Sequence, residues 1–373
     1  MNTNTRLLID FSPLKAGGGV QLALNFLDYI SQSDEFSDVI VLISDKFPLT
    51  EKIHSKFKQI VLPSSPLKRI LAENIRLKKI VQTEGITHIF TFFGPGLPKF
   101  TNVRQIVSVA YPIICYDDSP YWEHISFKVK TLKKIYNKFR LNRIAKADAV
   151  IVETTTMQKR LAETLRLPTA HFKVIPPVPT SYVQDKAFNP NNHTGRFLVL
   201  SGLAEHKNIW RLIEVASTAQ KQQLKIKFII TCEKPVFIHK YKELLDKENE
   251  DILSYFEFKG SVPQYDIQQL YNDTDALINI SDLESFSNNY MEAWLAAKPL
   301  IASNRDFAQN ILGKSALYVE PHDSEDICKV LNTFINDTSL AEKLVHEGKI
   351  KLKELPSIEE RWKKVKKVIF EGA

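Results

Sequence analysis

Short apolar runs alternate with amphipathic stretches along almost the whole chain. In the first half, Arg6–Phe11, Val39–Ser44, Gln59–Leu62, Thr87–Phe93, Gln105–Ala110 and Ala149–Val152 have the length and branching of buried strands. Helical spacing lies between them, from Val20 and over Leu67–Gln82 and Phe127–Ala145. This alternation predicts a doubly wound parallel sheet. Around Val174–His193 the texture breaks: Ile175-Pro-Pro-Val-Pro179 and Phe188-Asn-Pro-Asn-Asn-His193 are turn and loop chemistry. The alternation then restarts, with strands expected at Phe197–Ser201, Lys227–Thr231, Phe256–Lys259, Ala276–Ile280, Pro299–Ala302 and Leu317–Val319. Helices are expected at Ile209–Gln220, Lys240–Asp246, Gln264–Tyr271 and Tyr290–Ala297, then from Ser324 and Ser339, and last at Ser357–Phe370. The division this predicts is an N-terminal Rossmann-like domain (1–180), a linker (181–195), a second such domain (196–353) and a terminal helix (354–373). The two halves are expected to face one another across a hinge.

Length and composition narrow the classes. At 373 residues the chain is long for one core and natural for two. Its hydrophobic fraction of 44% and charged fraction of 25% are those of a soluble globular protein. No run approaches the roughly 20 apolar residues of a membrane span, and the start does not read as a signal peptide. Three dispersed cysteines, Cys115, Cys232 and Cys328, indicate neither a disulfide framework nor a metal site. The inference is a cytoplasmic enzyme or binding protein.

Charge is uneven. Between Glu123 and Asp148 stand eight basic residues (Lys128, Lys130, Lys133, Lys134, Lys138, Arg140, Arg143, Lys146) and no acid. Ile125, Val129, Leu132, Tyr136 and Phe139 recur among them at three-to-four spacing on one helix face. Such a segment suits peripheral contact with an anionic membrane over 127–146. It suits equally a helix whose apolar side packs on a core and whose outer face is solvated. Nucleic acid is not indicated, because no binding motif accompanies the charge.

The chemistry concentrates in Asp282-Leu-Glu284-Ser-Phe286-Ser287-Asn288-Asn289-Tyr-Met-Glu292. Glu284 follows a buried strand, at the end where open α/β sheets bind ligands. Ser287, Asn288 and Asn289 run into a helix start, which offers backbone N–H groups to an anion. Glu292, expected in that helix's first turn, fits a ligand role and fits equally a reciprocal cap with Asn289. His206-Lys207-Asn208 occupies the corresponding exit of an earlier strand, where a lysine can neutralise a phosphate. Gly17-Gly18-Gly19 follows the first strand and suits either close backbone approach or a tight turn; it matches neither a dinucleotide nor a P-loop fingerprint. Asp273-Thr-Asp275 has an acid spacing used for metal-bound sugar nucleotides, but it precedes its strand and reads as structural. Asp117-Asp118 suits a ligand surface of the first domain or a plain polar loop.

Taken together these motifs resemble those of the family-4 retaining glycosyltransferases of GT-B fold. Phe258-Lys-Gly260-x-Val262, Leu270-Tyr-x-x-Thr-Asp275-Ala-Leu-Ile, Lys298-Pro299-Leu300-Ile301-Ala302-Ser303 and Leu317-Tyr-Val-Glu-Pro321 extend the likeness over residues 197–330. The resemblance implies an α/β protein with two Rossmann-like domains facing a central cleft, and a terminal helix (354–373) crossing back to the N-terminal domain. It implies catalytic roles for Glu284, on donor-sugar hydroxyls, and Lys207, on the leaving diphosphate. Gly18, Gly19, His206, Asn208, Phe286, Ser287, Asn288, Asn289 and Glu292 would bind the donor, with Glu292 on the ribose. Tyr111, standing where the family carries a histidine, would face the acceptor together with Asp117 and Asp118. No metal and no cofactor beyond a nucleotide-sugar co-substrate is implied. The partners would be that donor and a saccharide or lipid-linked acceptor of surface polysaccharide synthesis, at the inner face of the cytoplasmic membrane. The family's arginine ahead of the lysine is missing from Ser201-Gly202-Leu203, and its glycine-rich loop is replaced by Ser285-Phe286-Ser287-Asn288. Alanine at Glu284 or Lys207 is expected to abolish transfer with the fold intact. A two-domain nucleotide-sugar epimerase and a non-catalytic nucleotide-sugar-binding subunit are the competing readings.

Overall fold

A computed structural model of the chain describes residues 5–14, 18–32, 38–48, 56–190 and 193–371. They form two compact units. The first comprises residues 1–116, 127–176 and 359–373, and the second residues 117–126 and 177–358.

The first unit holds a sheet of β1 (Leu7–Asp10), β2 (Ile40–Ser44), β3 (Lys58–Leu62), β4 (His88–Thr91), β5 (Arg104–Val109), β6 (Ala149–Val152) and β7 (Phe172–Val174). The described strands are all parallel, in the order β3-β2-β1-β4-β5-β6-β7. Its inner strands β1, β2 and β6 are buried at every position because both faces are covered, whereas the edge strands β3 and β7 are partly exposed. Leu7 and Ile9 pack into one cluster with the helices Gly18–Ser31 and Ile358–Phe370, while Leu8 joins Leu42, Leu77 and Val81 on the other face.

The second unit repeats the plan with β8 (Arg196–Val199), β9 (Lys227–Ile230), β10 (Phe256–Phe258), β11 (Ala276–Asn279), β12 (Leu300–Ser303) and β13 (Ala316–Val319). The order is β10-β9-β8-β11-β12-β13, again parallel. In both sheets the winding reverses beside the first strand of the unit, between β1 and β4 and between β8 and β11. Loops leave such a pair in opposite directions, and the crevice at the strands' carboxyl ends is where a doubly wound sheet takes ligands. Gly260, two residues after β10, has φ +69°, a left-handed conformation that favours glycine.

Several expected elements differ. β7 was hidden in the irregular stretch: three residues beside Ile175-Pro176 carry too little pattern to stand out. The expected helix Lys240–Asp246 is two short pieces, Lys234–Lys240 and Lys242–Leu245. Helices Thr155–Leu165 and Asp306–Leu312 add to those read from spacing. Residues 181–190 are not a free linker but part of the second unit. Lys186 N donates to Leu295 O at 2.8 Å, Gln184 N donates to Gln268 Oε1 at 2.8 Å, and Val183 is buried. Residues 117–126 also belong with the second unit, although the sequence reading placed them in the first. Ser119 Oγ donates to Asp282 O at 3.2 Å, and the ring of His124 lies 5.6 Å from that of Trp210.

Candidate functional site

Lys207 leaves the carboxyl end of β8 on a single 3-10 turn, Glu205–Lys207. Asn208 closes that turn in the left-handed region, φ +56°, which asparagine tolerates better than most residues. Its buried side chain donates to Ile280 O at 3.0 Å, so the loop after β8 is stitched to the loop after β11. Asp282 N donates to His206 O at 2.8 Å and adds a second stitch. Asn208 and His206 therefore hold the two strand exits together.

The stitching places Lys207 Nζ 2.5 Å from Glu284 Oε1, with side chains 22% and 10% exposed. The same oxygen accepts from Ser281 Oγ at 3.1 Å and from Asn279 Nδ2 at 3.4 Å. Oε2 takes no hydrogen bond among the described residues. Burial pushes the Glu284 carboxyl up, but the Lys207 charge and hydrogen bond outweigh it, helped by His206 and Asn279, and it sits below the ordinary glutamate range. The carboxylate is thus ionised and half occupied.

The helix after this loop spans Asn288–Leu295 with Ser287 at its N-cap, which makes no side-chain cap bond. Ser287 Oγ instead accepts from Asn279 Nδ2 at 3.4 Å. Asn289 Nδ2 donates to Leu200 O at 2.5 Å, fastening the helix start to the end of β8. Phe286 and Asn288 are half-buried at the same turn. Tyr290 N donates to Ser287 O at 3.1 Å, while the N–H groups of Asn288 and Asn289, one and two places into the helix, have no intrahelical carbonyl to reach.

Glu292 corrects the sequence reading. It lies beyond the first turn and does not cap. Tyr182 donates to its Oε1 at 2.5 Å and Tyr271 to its Oε2 at 3.2 Å, in nearly full burial. Burial raises its pKa, and the two tyrosine hydrogen bonds only partly offset the rise. Because the folded pKa lies above the unfolded one, the carboxylate costs stability at pH above the folded value, and the cost fades as pH falls. Glu292→Gln is therefore expected to melt at the same temperature or higher at neutral pH. The difference should close toward acid in paired melts of variant and wild type.

Asp282 is a member the sequence reading passed over. Its side chain is 0% exposed and accepts from His322 Nε2 at 2.9 Å and Arg305 at 3.3 Å, while Arg305 also pairs with Glu320 at 2.7 Å. Burial opposes its ionisation, but the His322 and Asn208 hydrogen bonds prevail and its pKa is lowered. The available signal was an acid two residues ahead of Glu284 at a strand exit. Its partners, 23 and 40 residues away in sequence, were not readable.

Other expected site residues lie elsewhere. Gly17 is outside the described residues, and Gly18 and Gly19 open the first unit's helix Gly18–Ser31. Tyr111 is in the first unit, after β5, under the Arg140 guanidinium at 5.0 Å, and burial raises its phenol pKa. Asp117 and Asp118 are exposed and belong to the second unit, not the first. Asp273 and Asp275 are occupied at the entry of β11. Asp275 accepts from Thr194 N at 2.8 Å and Arg196 N at 2.9 Å, and Asp273 Oδ1 accepts from Gln269 at 2.7 Å. In the first unit, buried Asp10 ends β1, accepts from Ser12 Oγ at 2.5 Å and Thr91 at 3.2 Å, and has its pKa raised by burial. It too was missed, although an acid closing the apolar run Leu7-Leu8-Ile9-Asp10 is visible in the sequence.

Residues 183–351 match the family model of glycosyl transferases group 1. No curated protein sequence matches the chain significantly. Among solved structures, a glycosyltransferase from Rickettsia africae is similar with TM-score 0.68 at 17% identity, covering 100% of both chains. Anabaena HepE in complex with UDP and glucose is similar with TM-score 0.67 at 16% identity, over 98% of this chain and 99% of that one. WaaG, a glycosyltransferase involved in lipopolysaccharide biosynthesis, is similar with TM-score 0.72 at 13% identity, over 98% and 100%. These likenesses show the fold: two Rossmann-like α/β domains of the GT-B type.

Proposed function

We propose that the protein is a retaining glycosyltransferase that moves a sugar from a nucleotide-sugar donor to a saccharide or lipid-linked saccharide acceptor, in surface polysaccharide synthesis. The observation that carries this reading is the Lys207–Glu284 pair at the reversal between β8 and β11, inside the segment that matches glycosyl transferases group 1. HepE, of like fold, has been solved with UDP and glucose, and WaaG acts in lipopolysaccharide biosynthesis.

On this reading the second unit binds the donor and the first the acceptor. Lys207 and the start of the helix Asn288–Leu295 take the diphosphate, Glu284 Oε2 takes sugar hydroxyls, and Glu292 takes the ribose in exchange for its bond from Tyr182, the half-buried one of its two tyrosine partners. The bond from the anomeric carbon to the leaving phosphate breaks, and negative charge grows on the diphosphate. Lys207 and the helix N-terminus stabilise that charge. The acceptor oxygen bonds to the same face of the anomeric carbon and gives its proton to the departing phosphate oxygen. No metal step is invoked: Asp273 and Asp275 stand at the entry end of β11, opposite to Glu284. Among the described residues no helix is long and apolar enough to cross a membrane. The acceptor is placed at the inner face of the cytoplasmic membrane, met by the basic helix over residues 127–146.

Thermal melts with UDP, GDP and dTDP test donor binding. One of them at about 100 times its dissociation constant should stabilise the protein by about 2.7 kcal/mol, and Glu292→Gln should weaken that shift. No shift with any of them, nor with their sugar conjugates, would remove the donor reading. With the matching nucleotide sugar and an acceptor, NMR should show a product with the donor's anomeric configuration. An epimerised sugar formed without acceptor would identify an epimerase instead.

A further inference from the structure

The exposed large apolar side chains of the described residues gather on two segments of the first unit. One is the helix Pro66–Ala72 with the π turn Glu73–Leu77 that follows it, where Leu67 (83% exposed), Ile70, Leu71 and Ile75 face solvent. The other is the helix Phe127–Ile144, where Phe127 (85% exposed), Leu132, Ile135, Tyr136 and Phe139 do so. Elsewhere such residues stand singly, as Val236, Tyr265 and Ile350 do. Isolated exposure needs no explanation, whereas clustering of this kind marks an interaction surface.

Helical geometry sharpens the point. With about 3.6 residues per turn, Leu132, Ile135, Tyr136 and Phe139 share one side of their helix. The buried positions, Asn137 and Ile144, lie on the other, and Asn137 is held there by its bond to Ile113 O at 3.0 Å. The apolar stripe that a packed helix would turn to the core therefore points outward. The first segment repeats this: Leu67, Leu71 and Ile75 recur four apart on the outer side, while Glu73 and Leu77 turn inward. Glu73, 1% exposed, joins the two segments. Its Oε1 pairs with Arg69 at 2.7 Å and its Oε2 with Arg143 at 2.6 Å. Arg143 in turn covers the Phe139 ring at 4.5 Å.

Both segments are cationic. Phe127–Ile144 has seven basic residues and no acid, and Lys68, Arg76, Lys78 and Lys79 flank the other stripe, whose single acid, Glu73, is buried. Protein interfaces exclude lysine from their apolar centres. Helices that lie in a lipid headgroup layer combine apolar side chains with flanking lysines, and an anionic surface attracts each basic residue.

We propose that Pro66–Leu77 and Phe127–Ile144 form one two-helix surface that rests on an anionic bilayer, with Glu73 clamping the pair. This rests on the membrane contact proposed above for residues 127–146 and enlarges it by a second insertion segment. The test is co-sedimentation of the full chain with vesicles of phosphatidylcholine alone or mixed with phosphatidylglycerol. Wild type should bind the mixed vesicles, and bind at least about tenfold more weakly to phosphatidylcholine alone or at high salt. Leu71→Ser/Ile75→Ser and Leu132→Ser/Phe139→Ser should each lose about tenfold. Lys68→Gln/Lys79→Gln, which leaves every apolar residue in place, should lose binding in the same direction if a serine variant fails to fold. Wild-type binding by the Leu71/Ile75 and Lys68/Lys79 variants would overturn the two-helix surface and leave the 127–146 contact standing. No binding by wild type would remove both. Self-association without vesicles, abolished by the same variants, would assign the surface to a second copy of the chain and overturn the proposal. Nucleotide-induced melting shifts should be equal in all these proteins, so the donor reading is judged separately.

Discussion

Lys207→Ala is expected to lower glycosyl transfer about 10²- to 10³-fold, the usual cost of removing one preorganised group that stabilises developing negative charge. Its effect should fall mainly on kcat, because the charge on the diphosphate grows as the sugar departs. The structure adds a consequence that sequence reasoning did not foresee. Lys207 is the cation on Glu284, so its removal leaves a nearly buried carboxylate with only Ser281 and Asn279. A destabilisation of about 1–3 kcal/mol should accompany the kinetic loss, and alanine here is not neutral for the fold. The pH dependence separates the two effects. Glu284 has a folded pKa below its unfolded one, so its contribution is full above the unfolded value and is lost as pH falls through the folded value. Without Lys207 that acid-side decline should flatten, a change visible in melting temperature against pH. Lys207→Arg should recover stability more than turnover. Near-wild-type turnover in both Lys207→Ala and Glu284→Gln would sink the assignment of this pair to the chemistry.

Trp362→Ala is expected to destabilise the first unit by about 3–5 kcal/mol, as truncation of a buried tryptophan does. Trp362 is 4% exposed, and its ring lies 4.8 Å from that of Phe26, which stacks on Phe92 at 5.4 Å. The helix carrying it is fixed at both ends. Arg361 donates to Ile175 O at 3.0 Å, and Arg104 donates to the carbonyls of Val368 and Ile369 at 3.1 and 3.0 Å. The last two bonds satisfy carbonyls that a helix end otherwise leaves open. Denaturant unfolding followed with and without nucleotide should show one transition moved by the substitution and a second, nucleotide-sensitive one unmoved. A uniform shift of a single transition would mean that the two units unfold together.

The alternation of strands and helices was readable because the inner strands are buried on both faces and so carry a continuous apolar signature. Lys207 and Glu284 were readable because each is a polar residue at a strand exit, and strand exits are visible as the ends of apolar runs. What depended on distant partners was not. Glu292 looked like a cap from its local spacing, yet its fate is decided by Tyr182, 110 residues away, and Tyr271. Residues 117–126 follow a first-unit strand in sequence and pack with the second unit through Asp282 and Trp210. The basic helix showed its apolar stripe in sequence, but nothing local says whether such a stripe turns inward or outward.

The first unit is assembled from three separate pieces of chain, the last of which follows the whole of the second unit. A ribosome releasing this protein has delivered every strand of both sheets before Trp362 and Val365 exist. The second unit can close on itself at that moment. Until then the Phe26 and Phe92 side of the first unit's core lacks the cover that Trp362 gives it. A product lacking the helix Ile358–Phe370 would present the second unit joined to an apolar surface without its cover.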